Sequence, residues 1–331
     1  MVQISIIEEI KRVAKIVDDY IIANVKSDSD ILEKASLHYI VNGGKRLRPF
    51  LTITSNALFN GKMDIILPLA AALEITHNFT LIHDDIMDND ESRHGVVTVH
   101  KAYGLPAAIL AGDLLIVKAF HLIVESNKAG LDENKALRII ENLAKTCIDI
   151  SEGQMEDISL ANDKTFSSMN YYIKMISKKT GVLFKAACEI GALAGDANED
   201  DIKNLADYGM NIGIAFQLID DLIGVAGDPS LTKKPVGNDI REGKKTLPIL
   251  LAMNKVNENE RREILQVFGK KDAKNEEINN VVNIIVNSGI DTQVRKEARR
   301  YMDIALHSIS KYDSRAYPLR VLAEFVVERK L

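Results

Sequence analysis

Residues 81–90 read LIHDDIMDND, and four aspartates, Asp84, Asp85, Asp88 and Asp90, stand directly after the apolar pair Leu81 and Ile82. Pro68 suits the first turn of a helix and no other breaker intervenes before Asp90. The stretch therefore predicts the C-terminal end of a helix of about 20 residues. At about 100° per residue, Asp84, Asp88 and Asp85 fall at roughly 0°, 40° and 100° on the wheel and share one face. That placement is unfavourable by itself, because like charges three and four residues apart repel and a helix C-terminus already carries partial negative charge. A solvated acidic turn is the plain reading; a bound cation is the other. Mg²⁺ takes carboxylate oxygens, keeps several waters and fills its remaining positions with phosphates.

FQLIDDLIG at 216–224 repeats the design. Gln217, Asp220 and Asp221 fall at roughly 60°, 0° and 100°, so an amide lies one turn from a second pair of carboxylates on the same arc. The flanking Phe216, Leu218, Ile219 and Leu222 imply that most of this helix is buried, and buried carboxylates must be paired or bound to metal. Fixed positive charge is also supplied. In VNGGKRLRPF, residues 41–50, Gly43 and Gly44 permit a tight turn, Pro49 suits a helix start, and Lys45, Arg46 and Arg48 cluster at that boundary, where helix N-termini bind anions. Arg93 and His94 follow the first acidic cluster, and Lys179 and Thr180 are expected to end the helix YYIKMISKKTG. A Gly/Pro-rich connection at 227–246 carries Lys233, Lys234, Arg241, Lys244 and Lys245; a long loop inside a compact fold is more often functional than incidental. Two acidic and several basic sites suggest two separate phosphorylated ligands.

Outward from these motifs, apolar residues recur at helical spacing almost throughout, beginning with Ile6, Ile10, Val13, Val17 and Ile21, and no strand alternation is sustained. Breaks are few and short, with no internal repeat and no low-complexity linker. This predicts an all-α chain organised as a single domain over 1–331. The 46% hydrophobic and 27% charged composition is that of a soluble globular protein, and a net charge of −5 gives no reason to expect a nucleic-acid partner. Only Cys147 and Cys188 are present, which excludes a disulfide framework and fits a reducing compartment. The N-terminus interleaves Glu8, Glu9, Lys11, Arg12 and Lys15 among its apolar positions, so it reads as an amphipathic helix and not as a signal peptide or membrane span. A cytoplasmic protein without transmembrane segments is expected.

GGKRLRP, LIHDDIMDNDESRHG, GQMED, KKTG, FQLIDD and GDPSLTKKPVGNDIREGKKT, in this order and spacing, resemble the motifs of the trans-isoprenyl diphosphate synthases over nearly the whole chain. The resemblance implies an isoprenoid synthase bundle of about 10 or more helices around a deep central cavity, assembled as a homodimer. Such an enzyme condenses isopentenyl diphosphate with an allylic diphosphate, and about three Mg²⁺ ions serve each site, with Mn²⁺ as an alternative. Residue by residue, the resemblance makes Asp84, Asp85, Asp88, Asp220 and Asp221 metal ligands. It gives Lys45, Arg48 and His77 to isopentenyl diphosphate, and Arg93, Lys179, Lys234 and Lys244 to the allylic diphosphate. Thr180 and Gln217 would face the carbocation. Ionisation of the allylic diphosphate, attack by the isopentenyl double bond and loss of a proton to the released diphosphate complete the expected reaction.

Two positions depart from the family pattern. Gly224 stands where a third aspartate belongs to the second motif, and His94 stands where many members carry a second arginine that contacts isopentenyl diphosphate. Phe79, five residues before Asp84 and about 7.5 Å along the helix, with the small Thr80 beside it, resembles the arrangement in archaeal-type geranylgeranyl diphosphate synthases. Its role as the floor that limits product length comes from that resemblance; core packing is the other reading. The expected product is mainly C20, with C15 or longer as alternatives. Three rival functions are weaker. An HD-type phosphohydrolase at IHDD leaves the second aspartate pair unused, a non-catalytic partner subunit usually lacks an aspartate motif, and a class I terpene cyclase has no use for GGKRLRP. Asp90 receives no role.

Overall fold

The structure, a computed structural model, describes residues 2–93, 95–162, 166, 168–227 and 237–329. His94 and Lys234 lie outside the described residues. The helices, in chain order, are α1 (Val2–Asn24), α2 (Asp30–Val41), α3 (Leu47–Ala57), α4 (Met63–Asp88), α5 (Val99–Tyr103), α6 (Leu105–Lys128), α7 (Glu133–Asn162) and α8 (Met169–Ile176). They continue as α9 (Val182–Ala194), α10 (Glu199–Ala226), α11 (Asn238–Glu242), α12 (Leu247–Lys255), α13 (Glu258–Val267), α14 (Asn275–Asn287), α15 (Ile290–Ser308) and α16 (Tyr317–Val327). The all-α expectation holds. Among the described residues, the one β pairing is a short antiparallel ribbon, β1 (Ser92–Arg93) with β2 (Val96–Val97), in which Arg93 opposes Val96.

The chain divides into two compact units, each drawn from three stretches. Met1–Thr146, Leu183–Gly209 and Ser308–Leu322 form the first, and Cys147–Val182, Met210–His307 and Ala323–Leu331 the second. In the first unit α4 is the core helix, with Ile66, Leu69, Leu73, Ile75 and Ile82 almost wholly buried. α1 lays down its expected stripe, since Ile6, Ile10, Val13, Val17 and Ile21 are all buried. Close packing is licensed by glycine: a Cβ at Gly191 of α9 would stand 2.3 Å from the Thr52 carbonyl oxygen of α3. In the second unit the core runs through Tyr172, Ile176, Leu218, Ile219, Leu222, Leu247 and Ile249. Ser168 caps α8 through the Tyr171 amide, and Asn257 with Glu260 closes a capping box on α13.

Two helix limits differ from the sequence expectation. α4 begins at Met63, so Pro68 lies inside it. One backbone hydrogen bond is forgone there, and burial of Ile66, Pro68 and Leu69 against the core offsets the loss. Lys179 and Thr180 do not end a helix. α8 runs through one π turn, Ser177–Gly181, directly into α9. Single π turns carry an extra residue per turn and are common at functional sites.

Candidate active site

The first aspartate cluster closes α4 as expected. Asn89 takes a left-handed conformation (φ 54°), and the Asp90 amide donates to the Asp85 carbonyl at 3.0 Å. The Asp90 carbonyl accepts from Thr98 Oγ1 at 2.7 Å, so this residue closes the helix and ties down the following segment through its backbone. Asp85 is fully buried, whereas Asp84 and Asp88 are half-buried. The ribbon brings Arg93 back onto the pair: its Nε donates to Asp85 Oδ1 at 2.5 Å and its terminal nitrogen to Asp84 Oδ2 at 3.3 Å. The cation demanded by the sequence is thus met first by the chain's own guanidinium. Asp85 also accepts from the Tyr39 hydroxyl of α2. Burial pushes the Asp85 carboxyl above the ordinary range, and Arg93 and Tyr39 oppose that shift.

Around this cluster the first unit arranges the other residues expected to bind diphosphate. Gly43 has φ 95°, which requires glycine, and a Cβ on Gly44 would strike the Arg46 guanidinium at 2.1 Å. Arg46 is a framework residue. It is buried and left-handed (φ 49°), and it donates to Asp18 at 2.6 Å, to Glu74 at 3.1 Å and to the Ile40 carbonyl at 2.9 Å. This network holds the turn that presents the exposed Lys45 and the half-buried Arg48, whose guanidinium lies 4.6 Å over the Phe184 ring. His77 is half-buried seven residues before Asp84, and so lies on the same face of α4. Phe79 and Thr80 are half-buried; Phe79 meets His83 edge to face at 5.8 Å, and Gly112 of α6 leaves room for that imidazole.

In the second unit α10 carries Gln217, Asp220 and Asp221. Gln217 is fixed at both ends: its Oε1 accepts from Thr180 Oγ1 at 2.7 Å and its Nε2 donates to Asp221 Oδ1 at 2.7 Å. Asp221 is buried and accepts from the Tyr172 hydroxyl. Burial, then the charges of Asp239 and Asp220, push its carboxyl up to about 8, and Tyr172 and Gln217 hold it down. Asp220 is exposed and pairs with Arg329 at 2.9 Å, and the Arg329 guanidinium stacks 4.7 Å from Phe216. The Gly224 departure acquires a physical reading, since a Cβ there would stand 2.5 Å from Asp239 Oδ2. The carboxylate missing at 224 is replaced in space by Asp239 of α11.

Lys178, Lys179 and Lys244 of the second unit are tied to acidic partners. Lys179 donates to Asp157 at 2.6 Å, Lys178 to Glu152 and Glu156 at 2.8 Å each, and Lys244 pairs with Glu242 at 2.8 Å. GQMED at 153–157 thereby gains a function. Glu156 and Asp157 hold the lysines, and Gly153 permits contact, because a Cβ there would lie 2.5 Å from the Lys179 amide nitrogen. Lys245 is buried, donates to the Leu160 carbonyl at 2.7 Å and is therefore structural. Tyr39, Tyr172, Asp157, Asp239 and Arg329 were not singled out from the sequence. Only the KKTG and GQMED pairing of charge could have pointed to Asp157.

The donor set suits magnesium. It consists of hard carboxylate oxygens on one helical face in each unit, each already demanding a cation, and each with a guanidinium holding that place. Among the described residues, no group of three or more His, Cys, Asp or Glu side chains forms a ready metal cage. Mg²⁺ requires none, because it is commonly held by one or two carboxylates plus substrate phosphates.

Comparison with known proteins gives a consistent result. The family model for polyprenyl synthetase matches residues 29–285. The chain is 40% identical over 318 residues to a geranylgeranyl diphosphate synthase of Sulfolobus acidocaldarius, covering 95% of this chain and 96% of that protein. The crystal structure of a geranylgeranyl pyrophosphate synthetase from Pyrococcus horikoshii superposes with a TM-score of 0.90 at 35% identity, covering 98% of this chain and 99% of that one. A polyprenyl synthase from Caulobacter crescentus, complexed with calcium and isoprenyl diphosphate, gives a TM-score of 0.90 at 32% identity and covers 98% and 97% of the two chains.

Proposed function

The chain belongs to the polyprenyl synthetase family, and from that membership we propose that it is a prenyl transferase condensing isopentenyl diphosphate with allylic diphosphates to geranylgeranyl diphosphate. The observation that carries this reading is the repeated acidic site. Two aspartate pairs, each with one buried carboxylate and one facing a guanidinium, lie on apolar helices of a family that elongates prenyl chains. C5 to C15 allylic diphosphates are the prenyl donors in this reading, and isopentenyl diphosphate is the acceptor. Asp84, Asp85 and Asp88 of the first unit and Asp220 and Asp221 of the second would hold Mg²⁺, about three ions in all, which would supply charge neutralisation of the diphosphate leaving group.

The chain's own residues do the rest. Lys179 and Lys244 exchange their carboxylate partners for the allylic diphosphate, the ligand to which the resemblance also assigns Arg93 and Lys234. Lys45, Arg48, His77 and His94 hold isopentenyl diphosphate. Thr180 orients the Gln217 amide, whose oxygen faces developing positive charge. Apolar walls exclude water from the allylic cation. Phe79 and Thr80 set the length of the product.

A single catalytic domain over 1–331 is the accompanying proposal, supported by a family match that runs through stretches of both units. A homodimer is supported by α6: Leu110, Val117 and Val124 recur every seven residues and remain 56%, 66% and 44% exposed. Met63–Asp88 and Leu105–Lys128 are long and apolar enough to cross a membrane by length and composition. We read the first as a core helix, because it carries buried Glu74 and Asp85, and the second as the dimer face. The cytoplasm is the proposed location, in keeping with two free cysteines.

The test is incubation of the purified chain with isopentenyl diphosphate, Mg²⁺ and C5, C10 or C15 starters, with products sized by chromatography. A C20 product is expected, and no condensation with any starter overturns the reading. In the same assay Phe79→Ala lengthens the product; unchanged lengths refute Phe79 as the floor.

A further inference from the structure

We propose that Tyr39 and Tyr172 are positioning residues that aim the two aspartate pairs at their divalent cations. This rests on the functional reading above and extends it. Each unit repeats one arrangement. In the first, the buried Asp85 accepts from the Tyr39 hydroxyl at Oδ2 and from Arg93 Nε at Oδ1, the latter at 2.5 Å. In the second, the buried Asp221 accepts from the Tyr172 hydroxyl at Oδ2 and from Gln217 Nε2 at Oδ1, the latter at 2.7 Å.

The Tyr39 oxygen also accepts the amide of Val99, the first residue of α5, at 3.4 Å, which anchors that phenol on a helix start. Both tyrosines are buried, at 5% and 1% exposure, and each comes from a different helix than its aspartate: α2 against α4, and α8 against α10. The same pairing of a buried phenol with a buried carboxylate, built twice from unrelated local sequence, is not required by packing, which a phenylalanine would satisfy.

The physical effect follows from the geometry. A carboxylate held at both oxygens cannot swing about its terminal torsion, and each oxygen retains a lone pair for a cation. The adjoining Asp84 and Asp220 face Arg93 and Arg329, so the orientation of each pair is set before a metal is bound. Hydrogen bonds of this outer kind typically govern metal affinity by 10–100-fold.

The test measures Mn²⁺ binding to the full chain by electron paramagnetic resonance, with saturating inorganic diphosphate, in the wild type and in Tyr39→Phe, Tyr172→Phe and Tyr208→Phe. Tyr208 is the control. It is equally buried and its hydroxyl donates to the Leu319 carbonyl at 2.7 Å, away from any aspartate of the motifs. We expect the Mn²⁺ Kd to rise about 10–100-fold in the first two variants and to stay within twofold of wild type in Tyr208→Phe, while thermal stability falls in all three. Unchanged Mn²⁺ Kd in Tyr39→Phe and Tyr172→Phe overturns the proposal, as does an equal rise in Tyr208→Phe. If either variant fails to fold, 3-fluorotyrosine placed in the otherwise unchanged chain gives the second measurement. Buried ring ¹⁹F signals shift on adding Mg²⁺ with diphosphate, and their constancy overturns the proposal. A wild-type chain that binds neither Mn²⁺ nor diphosphate refutes the functional reading itself and is thereby distinguished.

Discussion

Arg46 illustrates how a single residue in a binding motif can serve the framework and not the ligand. Lys45 and Arg48 beside it are exposed and half-buried, but Arg46 turns inward between Asp18 and Glu74. Removing one member of a buried ion network leaves the others uncompensated, so Arg46→Ala is expected to lower stability by about 3–5 kcal/mol in urea denaturation. A loss below about 1 kcal/mol would contradict that role. At this scale the sequence exposed the aspartates and the basic residues, because such side chains are unusual at apolar spacing. It did not expose Tyr39, Tyr172, Asp239 or Arg329. A helical wheel gives the direction in which Asp85 points but not what stands opposite, and a tyrosine in an apolar helix reads as core until its partner is known. The same ambiguity affected Arg93, which the family resemblance gives to a diphosphate and which the folded chain pairs with Asp84 and Asp85.

Among the elements, the helices were legible from periodicity, and their joints were not. The π turn at Ser177–Gly181 inserts one residue into an otherwise regular ladder, which no apolar spacing of four or five residues can reveal. The β1–β2 ribbon is too short to show alternation, yet it carries Arg93 to the aspartates. Pro68 misled in the opposite sense, because local propensity favoured a start where burial of Ile66 sustained the helix. The π turn rests against Gly153, and there the obstacle to a side chain is backbone: Lys179 N at 2.5 Å and Lys178 C at 2.9 Å. Gly153→Ala would raise helix propensity by about 1 kcal/mol, but overpacking costs about 1–3 kcal/mol and prevails, since these atoms have no rotamer to change. The expected result is a lower urea midpoint together with a reduced condensation rate from displaced Lys179 and Thr180. A variant more stable than wild type would show that the contact relaxes freely.

For the whole molecule, absence of strand patterning indicated an all-α fold, but the division into two discontinuous units left no trace in composition. It depends on packing between stretches of chain that are not consecutive in sequence. The exposed stripe of α6 was also missed, because a helix apolar all round looks like a core helix until its neighbours are known. Val117, 66% exposed, is the sharpest point of that stripe. If α6 forms the proposed dimer face, Val117→Glu is expected to lower the sedimentation coefficient to that of a monomer, since a charge cannot be buried unpaired in an apolar interface. A coefficient equal to that of the wild type would refute α6 as a dimer face. Finally, Arg93 and Arg329 offset part of the charge of the two aspartate pairs with groups that belong to the chain. Unlike a zinc finger, whose fold is purchased by its ion, this protein is expected to hold its architecture without a metal. A chelator should therefore abolish condensation while moving the melting temperature by less than about 2 °C, because the Arg93–Asp85 and Arg329–Asp220 pairs stay in place without the ion. A fall several times larger would mean that the arginines do not stand in for the ions. In a cell short of magnesium, such a chain would accumulate as an intact, idle reserve that returning ions could put to work without new synthesis.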